Sequence, residues 1–268
     1  MSIYQSFFIM YKESIKKIYL SRHILWDMAL KQLKEKYAGS KLGIWWAIII
    51  PLILAASINF IFTIVFKINI PNYTFLVLAG IIPWLFFSNA LGEATNSFII
   101  NTSILKQGIF PREFIPISSI LANFINFLIG LALLMPLFIV FNFKVIKYLI
   151  FLFPIVILHF MFIIGLGLLL SLVNVFFRDL SHFLSIAFML WFWITPVFFS
   201  LDMIPFPYRW ICLYNPMTYY VILYQNVLFQ GVAPPTSVIL IAFLISLGAC
   251  FIGHIIFIKN EPGLLKRI

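Results

Sequence analysis

The residues of this 268-residue chain that could do chemistry are few and scattered. Its eight acids are Glu13, Asp27, Glu35, Glu93, Glu113, Asp179, Asp202 and Glu261. All lie at the ends of apolar runs or between them, and no two are spaced as a carboxylate pair for acid–base catalysis or proton relay. His159 is the only histidine inside an apolar run, and a lone imidazole there reads first as a hydrogen-bonded packing residue rather than a ligand. Cys212 and Cys250 stand too far apart for a metal motif or a disulfide framework. There is no H-E-x-x-H and no G-x-x-x-x-G-K-[ST] phosphate loop. The expectation is a chain without catalytic residues, metal or cofactor of its own. If it uses ATP, a partner must bind it.

Composition defines the elements that surround these residues. The chain is 63% hydrophobic and only 10% charged, against about 25% charged in a soluble domain. So few charges cannot cover a water-facing surface, so lipid must cover much of it. Six apolar stretches predict six transmembrane helices: Ile44–Phe66, Tyr73–Ala90, Phe114–Phe143, Tyr148–Phe177, Phe183–Phe199 and Val238–Ile258. Pro116, Pro136 and Pro154 mark kinks or ends in the longer runs. The fifth run is short and leads into Pro196, Pro205, Pro207 and Pro216, where short half-helices are expected. The fold class is therefore all-α and polytopic. Its parts are a cytoplasmic N-terminal region (1–43), a six-span domain (44–258) and a cytoplasmic tail (259–268).

The net charge of +10 reads as topology rather than nucleic-acid binding. With both termini inside, 14 of the 18 Lys and Arg residues fall on the cytoplasmic side and only Lys67, Lys144, Lys147 and Arg209 outside. Lys12 and Glu13 interrupt the first apolar residues, so no cleavable leader is expected. Before the first span, Ile24, Leu25, Met28, Ala29 and Leu33 share one helical face, with Asp27, Lys31, Lys34 and Glu35 opposite. This predicts an interfacial amphipathic helix, with Trp26 at headgroup depth and Lys31, Lys34 and Lys36 toward water.

Aromatic residues make up 19% of the chain, 32 of them Phe, and most are lipid-facing or core filler. Trp191, Phe192, Trp193, Phe198 and Phe199 nevertheless cluster in the fifth run. This cluster reads either as the lining of a pore or as interhelical packing with an interfacial belt.

Several short patterns occur in order. They are Lys36-Tyr37-Ala38-Gly39-Ser40-Lys41-Leu42-Gly43 with Trp45-Trp46, then Leu78-Ala79-Gly80 with Pro83-Trp84, then Leu105-Lys106-Gln107-Gly108-Ile109-Phe110-Pro111-Arg112-Glu113. After these come Asn174 with Phe177-Arg178-Asp179, Thr195-Pro196-Val197, and Asn215-Pro216 with Thr218. Together they resemble the ABC-2 family of transporter permeases, in the branch that exports O-antigen, capsular polysaccharide or teichoic acid. The resemblance covers nearly the whole chain. One departure is Lys36, where the family usually carries Arg, so the charge is kept but the bidentate fork is lost.

The resemblance implies a homodimeric inner-membrane permease that works with two ATP-binding-cassette subunits, on which ATP and Mg would sit. The cargo would be a lipid-linked polysaccharide, whose sugar rings present C–H faces that would stack on a pore lined by Trp191, Phe192, Trp193, Phe198 and Phe199. The cytoplasmic loop Asn96–Glu113 would dock on the ATPase through Leu105, Lys106, Phe110, Pro111, Arg112 and Glu113. Arg112 is read either as pairing with a partner's acid or with Glu113, or as anchoring the third span. Arg178 and Asp179 are read as a turn held against the partner or as a local ion pair. Between spans five and six, Ser200–Pro235 would supply re-entrant helices broken at Pro205, Pro207, Asn215 and Pro216, forming an outer gate. Two other readings remain: the same fold with a small drug or lipid as cargo, and a membrane-embedded glycosyl- or acyltransferase.

Overall fold

The computed structural model describes residues 19–67, 69–107 and 111–264. Among the described residues the regular structure is entirely helical. Helix α1 (Arg22–Tyr37) precedes a tight turn and the first span, α2 (Trp46–Asn59), which continues as a π-helical stretch to Val65. Helix α3 is Tyr73–Ile100, α4 is Thr102–Gln107 and α5 is Phe114–Phe141. A short α6 (Val145–Tyr148) leads into α7 (Leu152–Phe176). Then come α8 (Leu180–Ile194), α9 (Arg209–Leu213), α10 (Pro216–Gln225) and α11 (Thr236–Leu264).

Five of these helical segments are long and apolar enough to cross a membrane: Gly43–Val65, Tyr73–Ile100, Phe114–Phe141, Val145–Phe176 and Thr236–Glu261. Of the expected fifth span, Phe183–Phe199, the helical part is the 15-residue α8, which stops at Thr195-Pro196. At 1.5 Å per residue that is about 22 Å, short of a hydrocarbon core of about 30 Å. Val197–Phe199 leave the helix because proline denies it a backbone donor.

The second correction is the length of α3. Its apolar run ends at Ala90, yet the helix continues to Ile100. Polar side chains in the extension bond back to their own helix. Thr95 Oγ1 donates to the Leu91 carbonyl at 2.7 Å, Asn96 Nδ2 to Gly92 at 3.1 Å and Ser97 Oγ to Ala94 at 2.7 Å. The polar groups are thereby satisfied without breaking the helix. The expected loop Asn96–Glu113 is correspondingly shorter, and α4 takes up part of what remains. Among the prolines, Pro116 and Pro154 sit in first turns, where a missing N–H costs nothing, while Pro136 lies inside α5.

Helix α3 is the centre of the bundle. Its buried residues run from Tyr73 to Phe98, whereas α2 and α8 turn broad apolar faces outward. The tightest crossing joins α7 and α11. A Cβ built on Gly253 would lie 2.0 Å from the Gly165 carbonyl oxygen, so the two backbones touch where glycines face each other. The Leu201–Gln230 segment supplies short helices. Of these, α10 and its π-helical continuation to Gln230 are buried through Met217, Tyr220, Val221 and Tyr224.

Candidate functional site

At the membrane entry, the Lys36 pattern folds into a hydrogen-bonded knot. Lys36 Nζ donates to Glu93 Oε1 at 2.9 Å and to Asn123 Oδ1 at 2.8 Å. Asn123 Nδ2 donates to Glu93 Oε2 at 2.5 Å. One ammonium thus binds α1 to both α3 and α5, and a point charge with rotatable donors suits two separate oxygens better than a planar fork would. Tyr37 hydrogen-bonds Asn126, and Gln32 Nε2 reaches Ser118 Oγ at 2.9 Å. Burial pushes the Tyr37 phenol pKa above its ordinary value, and the Glu93 carboxylate pushes it further the same way. Gly39 and Gly43 take φ values of +75° and +50°, which side-chain-bearing residues rarely adopt, and so turn the chain from α1 into α2. Ala29 and Leu33 pack on Ala122 of α5, while Trp26, Lys31 and Lys34 face outward. The Lys31–Glu35 contact, at 3.8 Å on an exposed face, adds little.

The docking-loop residues separate. Leu105 is buried in the core with Phe98, Ile115 and Phe257, and Lys106 belongs to α4. Phe110 lies outside the described residues. Pro111 is half-buried. Within the chain, Arg112 pairs with Glu261 rather than with its neighbour Glu113. Its Nη1 lies 3.3 Å from Glu261 Oε1 and 3.2 Å from the Glu261 carbonyl, clasping the C-terminal end of α11. Glu113 is buried and interacts electrostatically with His254 of the same helix. Arg178 and Asp179 are exposed at the α7–α8 turn, and among the described residues they form no ion pair with each other.

At the other end, three of the ordered patterns meet. Asn215 accepts from Trp191 Nε1 at 2.6 Å, donates to Thr195 Oγ1 at 2.8 Å and accepts from the Met217 N–H at 2.9 Å, capping α10. Gln225 Nε2 donates to the Pro196 carbonyl at 2.9 Å. A Cβ on Gly80 would lie 2.7 Å from the Val197 carbonyl oxygen, so that glycine admits the turn after α8 against α3. Pro216 opens α10, while Pro205 and Pro207 stay exposed in the preceding turns.

Four of the five candidate channel aromatics pack within the bundle. Trp191 sits edge-on to Phe87 at 5.2 Å, and Phe192 lies 5.6 Å from Trp84. Phe198 lies 5.3 Å from Phe62 and 5.1 Å from its neighbour Phe199. Only Trp193 is exposed. His159 is fully buried and stacked on Tyr220 at 4.9 Å, but neither ring nitrogen finds a hydrogen-bond partner among the described residues. It packs as expected without the expected hydrogen bond. Sequence reasoning left Glu93 and Asn123 unassigned. The available signal was a carboxylate and an amide inside helices whose neighbours are apolar, which demands a partner.

The bundle is that of a multi-pass helical membrane protein. The family model for the ABC-2 type transporter matches residues 25–229, and the chain belongs to that family. The O-antigen export system permease protein RfbA of Klebsiella pneumoniae is 34% identical over 203 residues, 75% of this chain and 78% of that protein. The protein of the same name from Myxococcus xanthus is 28% identical over 257 residues, 95% of this chain and 98% of its own length.

Proposed function

We propose that this chain is the membrane subunit of an ATP-driven exporter of lipid-linked, O-antigen-like polysaccharide in the bacterial inner membrane. The observation that carries the reading is its similarity, along 95% of its length, to a protein named as an O-antigen export permease. Two copies would pair, each with an ATP-binding-cassette subunit that binds ATP and Mg. In this reading α8 and the segment after it complete a sixth crossing, both termini are cytoplasmic, α1 lies in the inner interface, and Ser200–Pro235 forms re-entrant helices on the outer side. The loop ending at Glu113 would dock on the ATPase, beside the turn at Arg178 and Asp179. The Arg112–Glu261 contact favours transmission of its movement into α11 as well as α5. Trp193, the outward-facing member of the aromatic cluster, remains the member best placed to meet cargo.

The test is complementation of a strain lacking the gene. Surface polymer should return with the permease and its ATPase together, and with neither alone. Absence of polymer at the surface, with both proteins abundant, would overturn the cargo. Cysteine at position 209 should label from outside in intact cells, and cysteine at 264 only after permeabilisation. The reverse pattern would overturn the topology.

A further inference from the structure

Helices α7 and α11 lie closest at Gly165 and Gly253, where a Cβ on either glycine would meet the other helix's backbone. About two turns nearer both N-termini, Ser246 Oγ donates to the Leu158 carbonyl at 2.8 Å and lies 2.6 Å from the Tyr220 hydroxyl. Beyond that tie the two helices part, as packed helices that cross at an angle must. A cleft of about 440 Å³ opens between them. Phe153, Ile157 and Leu158 of α7 form one wall, and Ile239, Leu240 and Phe243 of α11 form the other. Among the described residues of the lining, Thr236 at the start of α11 is the one polar side chain. Phe153, Leu240 and Phe243 are exposed, so no part of the described chain fills the cleft. Both walls belong to segments long and apolar enough to cross a membrane. Water gains nothing in so apolar a space, and an empty cleft would forfeit the dispersion contacts of its walls.

Two lysines stand toward the open end. Lys147 lies near the start of the helical segment Val145–Phe176, which contains α6 and α7, and Lys144 just before it. Along the axis Lys147 is about 9 Å from Phe153, close to the depth of about 5–8 Å that headgroups add to each side of the hydrocarbon. A Cβ on Gly231 would lie 2.9 Å from Lys144 Cβ, so the turn leading into α11 packs on the same corner. Both lysines are exposed, and neither forms an ion pair among the described residues. Lys147 Nζ rests 5.5 Å from the centre of the Tyr148 ring.

We infer that the cleft seats one acyl chain of an anionic glycerophospholipid of the surrounding bilayer, with its phosphate held by Lys147 and Lys144. The chain matches the apolar walls, and the headgroup matches the cations and the Thr236 hydroxyl at the mouth. A zwitterionic lipid would bring its own ammonium beside two others. A second copy of this chain is the weaker occupant, because the broad outward apolar faces belong to α2 and α8, and neither lines the cleft. The lipid seat depends on membrane residence alone and not on the nature of the cargo.

The test uses the full permease–ATPase complex in detergent, stripped of lipid. It is titrated with phosphatidylglycerol or with phosphatidylcholine of the same acyl chains, while native mass spectrometry counts the lipids retained. One phosphatidylglycerol per permease chain should be held about twentyfold more tightly than phosphatidylcholine, at about fivefold for each lysine. Replacing both exposed lysines, Lys144→Gln with Lys147→Gln, should abolish that preference and leave phosphatidylcholine binding unchanged. Leu240→Trp fills the cleft from a residue more than half exposed and should weaken both lipids about tenfold. If that variant fails to accumulate, Ile157→Trp fills the cleft from the opposite wall. Equal retention of the two lipids by the unmutated complex, or unchanged binding in the filled variants, would overturn the inference. So would full-yield disulfide cross-linking of two Phe153→Cys copies, which would assign the cleft to a subunit interface. Displacement of phosphatidylglycerol by polyprenyl phosphate at equal concentration would overturn it in favour of a cargo carrier.

Discussion

Asn215→Ala tests whether the junction at the end of α8 holds the bundle together. The amide is buried and makes three hydrogen bonds: from Trp191 Nε1, to Thr195 Oγ1 and from the Met217 N–H. In membrane proteins an interhelical side-chain hydrogen bond averages about 0.6 kcal/mol and reaches about 1.7 kcal/mol. Two such bonds plus a helix cap of about 1 kcal/mol give an expected loss of about 2–4 kcal/mol. Thr195 is the least affected partner, because its hydroxyl also reaches the Trp191 carbonyl at 2.8 Å. Asn215→Ser should recover about 1 kcal/mol of the loss, since serine caps a helix but is too short to reach the indole. The assay is unfolding in mixed micelles titrated with a denaturing detergent. Trp191→Phe removes the indole donor alone, and the double variant should be less destabilised than the sum of the two single changes. An Asn215→Ala protein within about 0.5 kcal/mol of wild type would refute the reasoning. Strict additivity with Trp191→Phe would refute the pairing.

Other expectations follow from contacts elsewhere in the bundle. Gly165→Leu should abolish folded protein in the membrane, because even a Cβ there would lie 2.2 Å from the Ala249 backbone; Gly248→Ala, with open space around it, should leave abundance unchanged. Lys36→Met should loosen α1 from the bundle. Since Lys36 and Glu93 are only partly buried, the stability cost should stay near 1 kcal/mol, while protease cleavage between α1 and α2 should accelerate. Unchanged cleavage would show that Ala29 and Leu33 suffice to dock the helix. Arg112→Ala and Glu261→Ala should each lower polymer export with little change in abundance. The double variant should be no worse than either single one, and additive losses would separate the two residues.

The amino-acid pattern discloses helical class and membrane residence because these depend on composition and run length. It discloses ends and partners poorly. Helix α3 outruns its apolar stretch because the side chains of Thr95, Asn96 and Ser97 turn back onto their own carbonyls, which hydropathy does not register. The Lys36 knot joins residues 57 and 87 positions apart, and nothing local to Lys36 indicates either distance. The aromatic cluster was found, but its role was not legible, since Trp and Phe serve packing and ligand contact with the same rings. For Arg112 the pattern offers Glu113, a partner's acid or an anchoring role for the third span; the acid it meets within the chain is Glu261, far along the sequence, because the start of α5 lies beside the end of α11.

A single helix explains why these patterns occur in one chain. Toward its N-terminal end, Gly80 of α3 receives the Val197 turn, and through it the Trp191–Thr195–Asn215 junction. Toward its C-terminal end, Glu93 receives Lys36, and the Thr95 carbonyl accepts from Asn174 of α7 at 3.0 Å. Between those ends Ser88 and Asn89 line a polar groove of about 420 Å³ that faces Ser181 and Ser185 of α8, and they lie opposite the buried Phe86 and Phe87. The helix is therefore bonded at both ends and open along one side. Its position fixes the groove width, because α8 reaches α3 through Trp191 and Phe188 packing on Phe87. A displacement that began in the loop between α3 and α5 would enter α3 directly through α4, and would enter α11 through Arg112 and α5 through Phe114. Only the first of these routes ends on the groove wall. Movement of α3 relative to α8 is thus the step that the packing allows to connect the loop with the polar face.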